Sequence, residues 1–312
     1  MSVILGIDTS NYTTSAALYF SDNNSITQQK MLLPVKKGEK GIRQSDAVFH
    51  HTVQLPQILK KLFSETGAVK IDAVGVSYAP RREKDSYMPC FLSGVASAKA
   101  VSLAVNIPLF ELSHQEGHVT AALYSANRLD LFKECFIAFH ISGGTTEALL
   151  VTPDDENIFS TRIIAKSLDL KAGQAVDRVG LMLGLDFPAG PELEKLALNS
   201  IKSYNINPSM KSQDCSLSGI ENKCRKMYEQ NEKPCDIAEF CFESIISAVD
   251  GMINSVFDIY GNLPVVFSGG VTSNKKIRLY FEKKYNAFFA EPIFSSDNAA
   301  GTSVLAYLKY QG

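Results

Sequence analysis

Five histidines occur in the 312-residue chain, and two of them, His114 and His118, sit four apart in the segment SHQEGHVTAA. Residues four apart share one face of a helix, so both imidazoles can reach one ion. Imidazole is the commonest protein ligand for metals, but two nitrogens are an incomplete grip, and further ligands must come from elsewhere. The same spacing equally suits a plain polar helix face. The zinc-protease pattern HExxH is absent: in HQEGH the glutamate, Glu116, stands third rather than second. Glu116 is expected to be a spacer, or to sit behind the ligands. A third histidine, His140, closes the apolar run FIAFHI just before a glycine turn.

Turns of that kind are the second chemical signal. The chain opens VILGID, then TSNYTT, then SAALYF; at 136–151 it repeats the plan with FIAFHI, SGGTT and EALLV. Apolar run, small polar turn, apolar run predicts a β-hairpin. Thr13-Thr14 of the first aligns with Thr145-Thr146 of the second, a repeat at a spacing of 132 residues, which predicts two related domains. A third glycine turn follows the strand pattern in LPVVFSGGVTSN, 263–274. Backbone N–H groups and hydroxyls at such tips can cradle phosphate oxygens. The candidates are Ser10 and Thr13, then Ser142, Gly143, Gly144 and Thr145, then Gly269 and Gly270. Tight turns without a ligand would use the same residues.

The elements that must carry these tips are legible in outline. Leu55, Ile58, Leu59 and Leu62 share one face of a helix over 53–66. Residues 91–105 predict a small-residue helix suited to close packing, and 173–184, 191–200 and KKIRLYFEKKY predict three more. The stripe Ile237, Phe240, Ile245, Ile246, Val249, Met252 and Ile253 predicts a long helix over 236–258. Asp297 stands where it could cap a final helix. Strands separated by helices predict α/β architecture.

Composition bounds the rest. Hydrophobic residues make up 45% and charged residues 21%, globular values for a chain able to bury one large core or two ordinary ones. A net charge of −2 advertises no nucleic-acid surface, so RNA would need local basic patches or partner proteins. No apolar run is expected to cross a membrane, and the N-terminus lacks the pattern of a signal peptide. Six scattered cysteines without a CxxC pair argue against a zinc ribbon and for reduced thiols in the cytoplasm.

The motifs together carry a resemblance. The three turns resemble those of the actin-like, sugar-kinase and Hsp-type ATPase superfamily, which implies two duplicated domains around a central cleft. Over nearly the whole chain the sequence resembles the TsaD/Kae/Qri family, formerly called O-sialoglycoprotein endopeptidases. LGIDTSNYTTSAAL resembles the family's LGIETSCDETAAA, HQEGH its HxxGH, and HISGGTTEALL its VSGG turn. KAGQAVDRVGLMLGLDFPAGPELEKLA resembles its DDAAGEAFDKVAKLLGLPYPGGPAIEKLA, DCSLSGI its DFSFSGL, and SSDNAAG its CTDNAAM. The resemblance implies transfer of a threonylcarbamoyl group from its adenylate to adenine 37 of tRNA. It implies one divalent metal, iron or zinc, on His114, His118 and Asp297, with His140 standing where archaeal members carry a tyrosine. It implies ATP, AMP or the acyl-adenylate on Ser142, Gly143 and Gly144, with Asp177, Gly190, Glu194 and Asn274 toward the ribose and adenine. The implied division is 1–112 with 298–312, and 113–297 bearing most of the site. The implied partners are tRNA and other proteins of threonylcarbamoyladenosine synthesis, with helix 91–105 as a surface for a homo- or heterodimer.

The departures are specific. The family's acidic pair after the first TS is replaced within Asn11-Tyr12-Thr13, its GPG loop by APRREKDSYMPCFLSG, and its GE by Gly173-Gln174. They leave open a non-catalytic nucleotide-binding paralogue that regulates or scaffolds, and carbamoyl transfer to another acceptor.

Overall fold

The protein is described by a computed structural model covering residues 1–10, 12–34, 42–295 and 299–312. It divides into two compact units: 1–129 with 156–158 and 296–312, and 130–155 with 159–295.

In the first unit, β1 (Val3–Asp8), β2 (Thr13–Phe20) and β3 (Ser25–Leu32) form an antiparallel meander. After α1 (Gln44–Thr66), β4 (Ala73–Ala79) joins parallel to β1. After α2 (Phe91–Val105), β5 (Leu109–Ser113) joins parallel to β4. The sheet order is β3-β2-β1-β4-β5. β1 is buried along its whole length, as a strand covered on both faces must be. Leu55, Ile58 and Leu62 of α1 and Ala98 of α2 pack on Val3, Leu5, Ile7, Val74 and Val76. On the other side Gly6 and Gly75, paired across β1 and β4, leave room for the C-terminal helix Ala300–Gln311. A Cβ on Gly75 would lie 2.7 Å from the Thr302 carbonyl oxygen. α3 (His114–Ser125) packs on that same helix, with Gly117 and Gly301 at the crossing.

The 112/113 boundary expected from the sequence does not coincide with this division. Helix α3 belongs to the first unit, because its glycine face is buried on the C-terminal helix.

The second unit repeats the sheet. β6 (Phe136–Ile141), β7 (Thr146–Asp154) and β8 (Ile158–Lys166) are followed by α4 (Ala172–Met182), α5 (Gly190–Ala197), the short β9 (Ser209–Lys211) and β10 (Asp214–Ser216), α6 (Ser218–Glu229) and α7 (Pro234–Tyr260). Then come β11 (Val265–Ser268), α8 (Lys275–Tyr285) and β12 (Phe288–Phe289). The order is β12-β11-β6-β7-β8, with β6 antiparallel to β7 and parallel to β11, and β11 parallel to β12. β6 thus occupies the place of β1, and the two sheets share one plan.

The seven-residue apolar stripe of α7 is buried as expected. At 27 residues, with a window of mean hydropathy 1.3, α7 does meet the length and composition of a membrane span, contrary to the sequence expectation. However, 61% of that window is buried inside the fold, the mark of a core helix.

Asp169 joins the loop after β8 to the start of α6. Its Oδ1 accepts from the N–H groups of Leu170 at 2.6 Å and Leu217 at 2.7 Å, and its Oδ2 from the Ser218 hydroxyl at 2.6 Å. Partial burial pushes this carboxyl up, but the Ser218 hydroxyl and the N–H groups of Leu217, Leu170 and Ser218 outweigh it, so its pKa lies below the ordinary value. A folded pKa below the unfolded one contributes stability that is fully present above the unfolded value and is lost as pH falls through the folded one. The Asp169→Asn variant is therefore expected to be less stable than wild type at neutral pH. Below about pH 4 its stability should fall less steeply. Urea unfolding at a series of pH values checks both; parallel acid limbs would refute the linkage.

Candidate functional site

In the first unit the opening histidines are brought together by their helix. Ser113 ends β5 and caps α3: its hydroxyl accepts from the Glu116 N–H at 3.2 Å, while Glu116 Oε2 accepts from the Ser113 N–H at 2.6 Å. This capping box fixes the first turn. One turn apart, His114 Nε2 and His118 Nε2 lie 2.9 Å from each other.

Behind His114 stands Asp8, the last residue of β1, only 1% exposed. Its Oδ2 lies 2.8 Å from His114 Nδ1 and accepts from the Ser77 hydroxyl at 2.6 Å; its Oδ1 accepts from the Ser10 N–H at 2.8 Å. Burial alone would raise this carboxyl, but the facing His114 ring and these hydrogen bonds hold it below the ordinary range. An ionised carboxylate can only accept, so the Nδ1 of His114 carries a proton, and in the neutral form of the ring the lone pair is on Nε2. Two nitrogen lone pairs cannot face each other at that distance unaided. Either one proton lies between them, from His118, or one cation does. The pair therefore suits either a hydrogen bond from His118 to His114 or a metal, and for a metal Asp8 is the carboxylate that would orient a ligand from behind.

Among the described residues, no group of three or more His, Cys, Asp or Glu is placed to hold a metal ion. Of the four ligands implied by the family resemblance, His114 and His118 are side by side. His140 lies on β6 of the second unit, and Asp297, also the expected helix cap, falls outside the described residues. His140 Nδ1 is 3.0 Å from the Ser268 hydroxyl, whose own proton goes to the Phe139 carbonyl oxygen at 3.3 Å. That arrangement makes Nδ1 the donor and leaves Nε2 as the acceptor.

The glycine turns are placed as hairpin tips or strand ends. The Thr13 N–H donates to the Ser10 carbonyl oxygen at 3.2 Å, and the buried Ser10 hydroxyl has no hydrogen-bond partner among the described residues. In the second unit, Ser142 and Thr145 close a turn through two hydrogen bonds, of 2.7 and 3.1 Å. Gly143 and Gly144 stand exposed between them with open space above. Helix α4 starts against this turn: the Gly173 N–H donates to the Ser142 carbonyl oxygen at 3.1 Å, and a Cβ on Gly173 would lie 2.6 Å from the Gly143 nitrogen. Gly269, at φ 99°, lies against the Ile141 backbone, and Gly270 beside it is exposed. Positive φ without a Cβ is what this turn needs.

The remaining candidates hold helix starts. Asn274 caps α8 by accepting from the Ile277 N–H at 3.0 Å, and Glu194 Oε1 accepts from the Lys275 N–H at 2.7 Å. Asp177 Oδ1 accepts from the Ala189 N–H at 2.9 Å, just before Gly190 opens α5; burial raises the Asp177 carboxyl above its ordinary value. Sequence reading missed Asp8, Ser77 and Asp169, although the signal at Asp8 is a lone acid at the end of an apolar run.

A twice-used five-stranded sheet with glycine turns at the strand ends places the chain in the class of actin-like ATPase and sugar-kinase folds. It is similar in structure to component A of (R)-2-hydroxyglutaryl-CoA dehydratase from Acidaminococcus fermentans, at a TM-score of 0.57 and 16% identity with all of both chains covered. It is also similar to a ROK family glucokinase from Streptomyces griseus, solved with glucose and AMPPNP, at a TM-score of 0.53 and 12% identity, again over both whole chains. These likenesses establish the fold alone.

The sequence goes further: the chain belongs to the TsaD family, tRNA N6-adenosine threonylcarbamoyltransferase, whose pattern matches residues 23–304. A relative from Thermosipho africanus named tRNA N6-adenosine threonylcarbamoyltransferase is 31% identical, over 99% of this chain and 94% of its own length. The family is one of acyltransferases.

Proposed function

We propose that this protein transfers the threonylcarbamoyl group of threonylcarbamoyl-adenylate to the N6 amine of adenine 37 in tRNA, as its family membership and relatives support. In this step the amine nitrogen bonds to the carbamoyl carbon, the bond from that carbon to the phosphate oxygen breaks, AMP leaves, and the amine gives up one proton. The observation that carries the metal-dependent form of the reading is the Asp8–His114–His118 array, with its paired Nε2 atoms 2.9 Å apart.

His114 and His118 would hold iron or zinc, with His140 and Asp297 as the further ligands. The ion would bind substrate oxygens or polarise the carbonyl. The exposed N–H groups of Gly143 and Gly144 would receive phosphate oxygens of ATP, AMP or the adenylate. Ser142 and Thr145 keep the turn closed, and Ser10, Thr13, Gly269 and Gly270 shape the other two tips. Asp177, Gly190, Glu194 and Asn274 act on the nucleotide through the helix starts they hold. The adenine would be read from single-stranded RNA, with tRNA as the partner and the cytoplasm as the compartment. Helix α2 exposes Leu92, Leu103 and Val105 at 50, 81 and 58%, a surface suited to a second copy or another protein of the pathway.

The experiment is complementation of a strain depleted of its own threonylcarbamoyltransferase, with mass spectrometry of tRNA nucleosides. Restored threonylcarbamoyladenosine is the expected result. Failure by soluble protein supplied with partners would favour a regulatory paralogue, the reading that the replaced acids of the first turn favour, or another acceptor.

A further inference from the structure

The charged segment 81–87, which stands where the family resemblance leads one to expect a glycine loop, reaches the first turn of α3. Arg82 Nε donates to Glu116 Oε1 at 3.1 Å and its Nη2 to Glu116 Oε2 at 3.2 Å; Nη2 also donates to the Glu111 carbonyl oxygen at 3.3 Å. The guanidinium lies 5.9 Å from the centre of the Tyr78 ring. The backbone adds a second tie, from the Gln115 N–H to the Pro80 carbonyl oxygen at 3.0 Å. The segment is braced from within by the Arg81 N–H to the Ser86 hydroxyl at 2.9 Å and the Ser86 N–H to the Glu83 carbonyl oxygen at 3.0 Å. The Glu116 side chain is 4% exposed and that of Arg82 is 38%.

We propose that Arg82 is a positioning residue for the metal pair: by clamping Glu116 it locks the first turn of α3 and holds the two imidazoles aimed at one point. The proposal rests on the reading of His114 and His118 as metal ligands. Glu116 lies between the two histidines and closes the capping box with Ser113. Its carboxylate is buried, and a buried carboxylate stripped of its cation relaxes toward water. Rotation of Glu116 out of the box releases the Ser113 N–H and loosens the turn that sets the spacing of the rings. A two-pronged guanidinium fixes the plane of the carboxylate; a lysine supplies charge without that plane. The guanidinium is 38% exposed, so its loss costs the fold less than breaking a fully buried pair would, and the change is centred on the first turn of α3.

The test uses the full chain, stripped of metal, as wild type, Arg82→Ala, Arg82→Lys and His118→Ala. Hydrogen exchange of the peptide covering 113–118 reads the turn, Co2+ titration reads the site, and urea unfolding reads global stability. Arg82→Ala is expected to exchange faster in that peptide and to bind Co2+ about tenfold more weakly, the lower end of what a residue behind a ligand contributes, with an unfolding midpoint lowered only modestly. Arg82→Lys should recover less than half of the lost affinity on a logarithmic scale. Wild-type exchange and affinity in Arg82→Ala, beside loss of binding in His118→Ala, would overturn the role of Arg82 alone. Equal binding by wild type and His118→Ala, or none by either, would overturn the metal reading, and the role of Arg82 with it.

Discussion

Replacing Asp8 with asparagine is expected to lower metal affinity by ten- to a hundredfold, the range for a group that orients a ligand from behind, and to lower tRNA modification at least as much. The variant keeps the volume of the side chain in its buried place, so the sheet is not emptied. What changes is the direction of the hydrogen bonds. The carboxylate accepts three: from Ser10, Ser77 and His114. An amide has one oxygen and an NH2 that only donates. With the oxygen kept toward the Ser10 N–H, the NH2 faces His114 Nδ1 and forces the ring into the tautomer with its proton on Nε2. That proton then occupies the nitrogen that would hold the ion. The same logic makes an asparagine in place of a serine-protease aspartate so costly. Metal titration measures the loss, and the nitrogen chemical shifts of His114 identify the tautomer. A bare Nε2 together with wild-type affinity in Asp8→Asn would refute the role of Asp8. Ser77→Ala removes one of the three donors but leaves the acceptor, and should cost far less.

The largest effect on stability is expected at Gly301. A Cβ there would collide with the Gly117 carbonyl oxygen and lie 2.7 Å from the Ala121 nitrogen. Both are backbone atoms of α3, so no side chain can rotate away and the helix itself must shift. Overpacking of a close crossing costs about 1–3 kcal/mol, occasionally more, and Gly301→Ala belongs at or beyond the upper end because the obstacle is backbone. Because α3 carries His114 and His118, the same variant should also weaken metal binding. Two controls isolate the cause. In Gly117→Ala the new methyl would lie 3.0 Å from the Thr302 hydroxyl and 3.8 Å from the Thr302 nitrogen, a far milder approach than at Gly301, so the cost is smaller. In Gly219→Ala, at the start of α6, nothing lies within 4 Å, and a stability change within about 1 kcal/mol is expected. Chemical denaturation of the three variants should rank them in that order. An unaffected Gly301→Ala would refute the close crossing.

Much of this protein was determined by local sequence. The repeated hairpins appear as β1–β2 and β6–β7, the helix expected over 91–105 is α2, and the apolar stripe over 236–258 is the buried face of α7. Periodicity and turn chemistry act over a few residues, and they can be read there. The outer strands β3 and β8 were not anticipated, since their partly exposed residues carry no strong apolar alternation. The spacing of His114 and His118 likewise determined that two imidazoles could meet.

What makes those imidazoles a candidate site was decided only by the tertiary structure. Asp8 orients His114 across 106 residues of chain, Arg82 holds Glu116 across 34, and Gly301 lets α3 approach from the far end of the sequence. None of these partners follows from local propensity. Each exists because the sheet brings the end of β1 and the residues just past β4 beside the start of α3, and because two glycines let the covering helices touch. Asn274, Glu194 and Asp177 make the same point in reverse. The sequence offered them as nucleotide contacts, and the fold first employs them on unpaired backbone N–H groups at helix starts, where an acceptor is needed whatever the ligand.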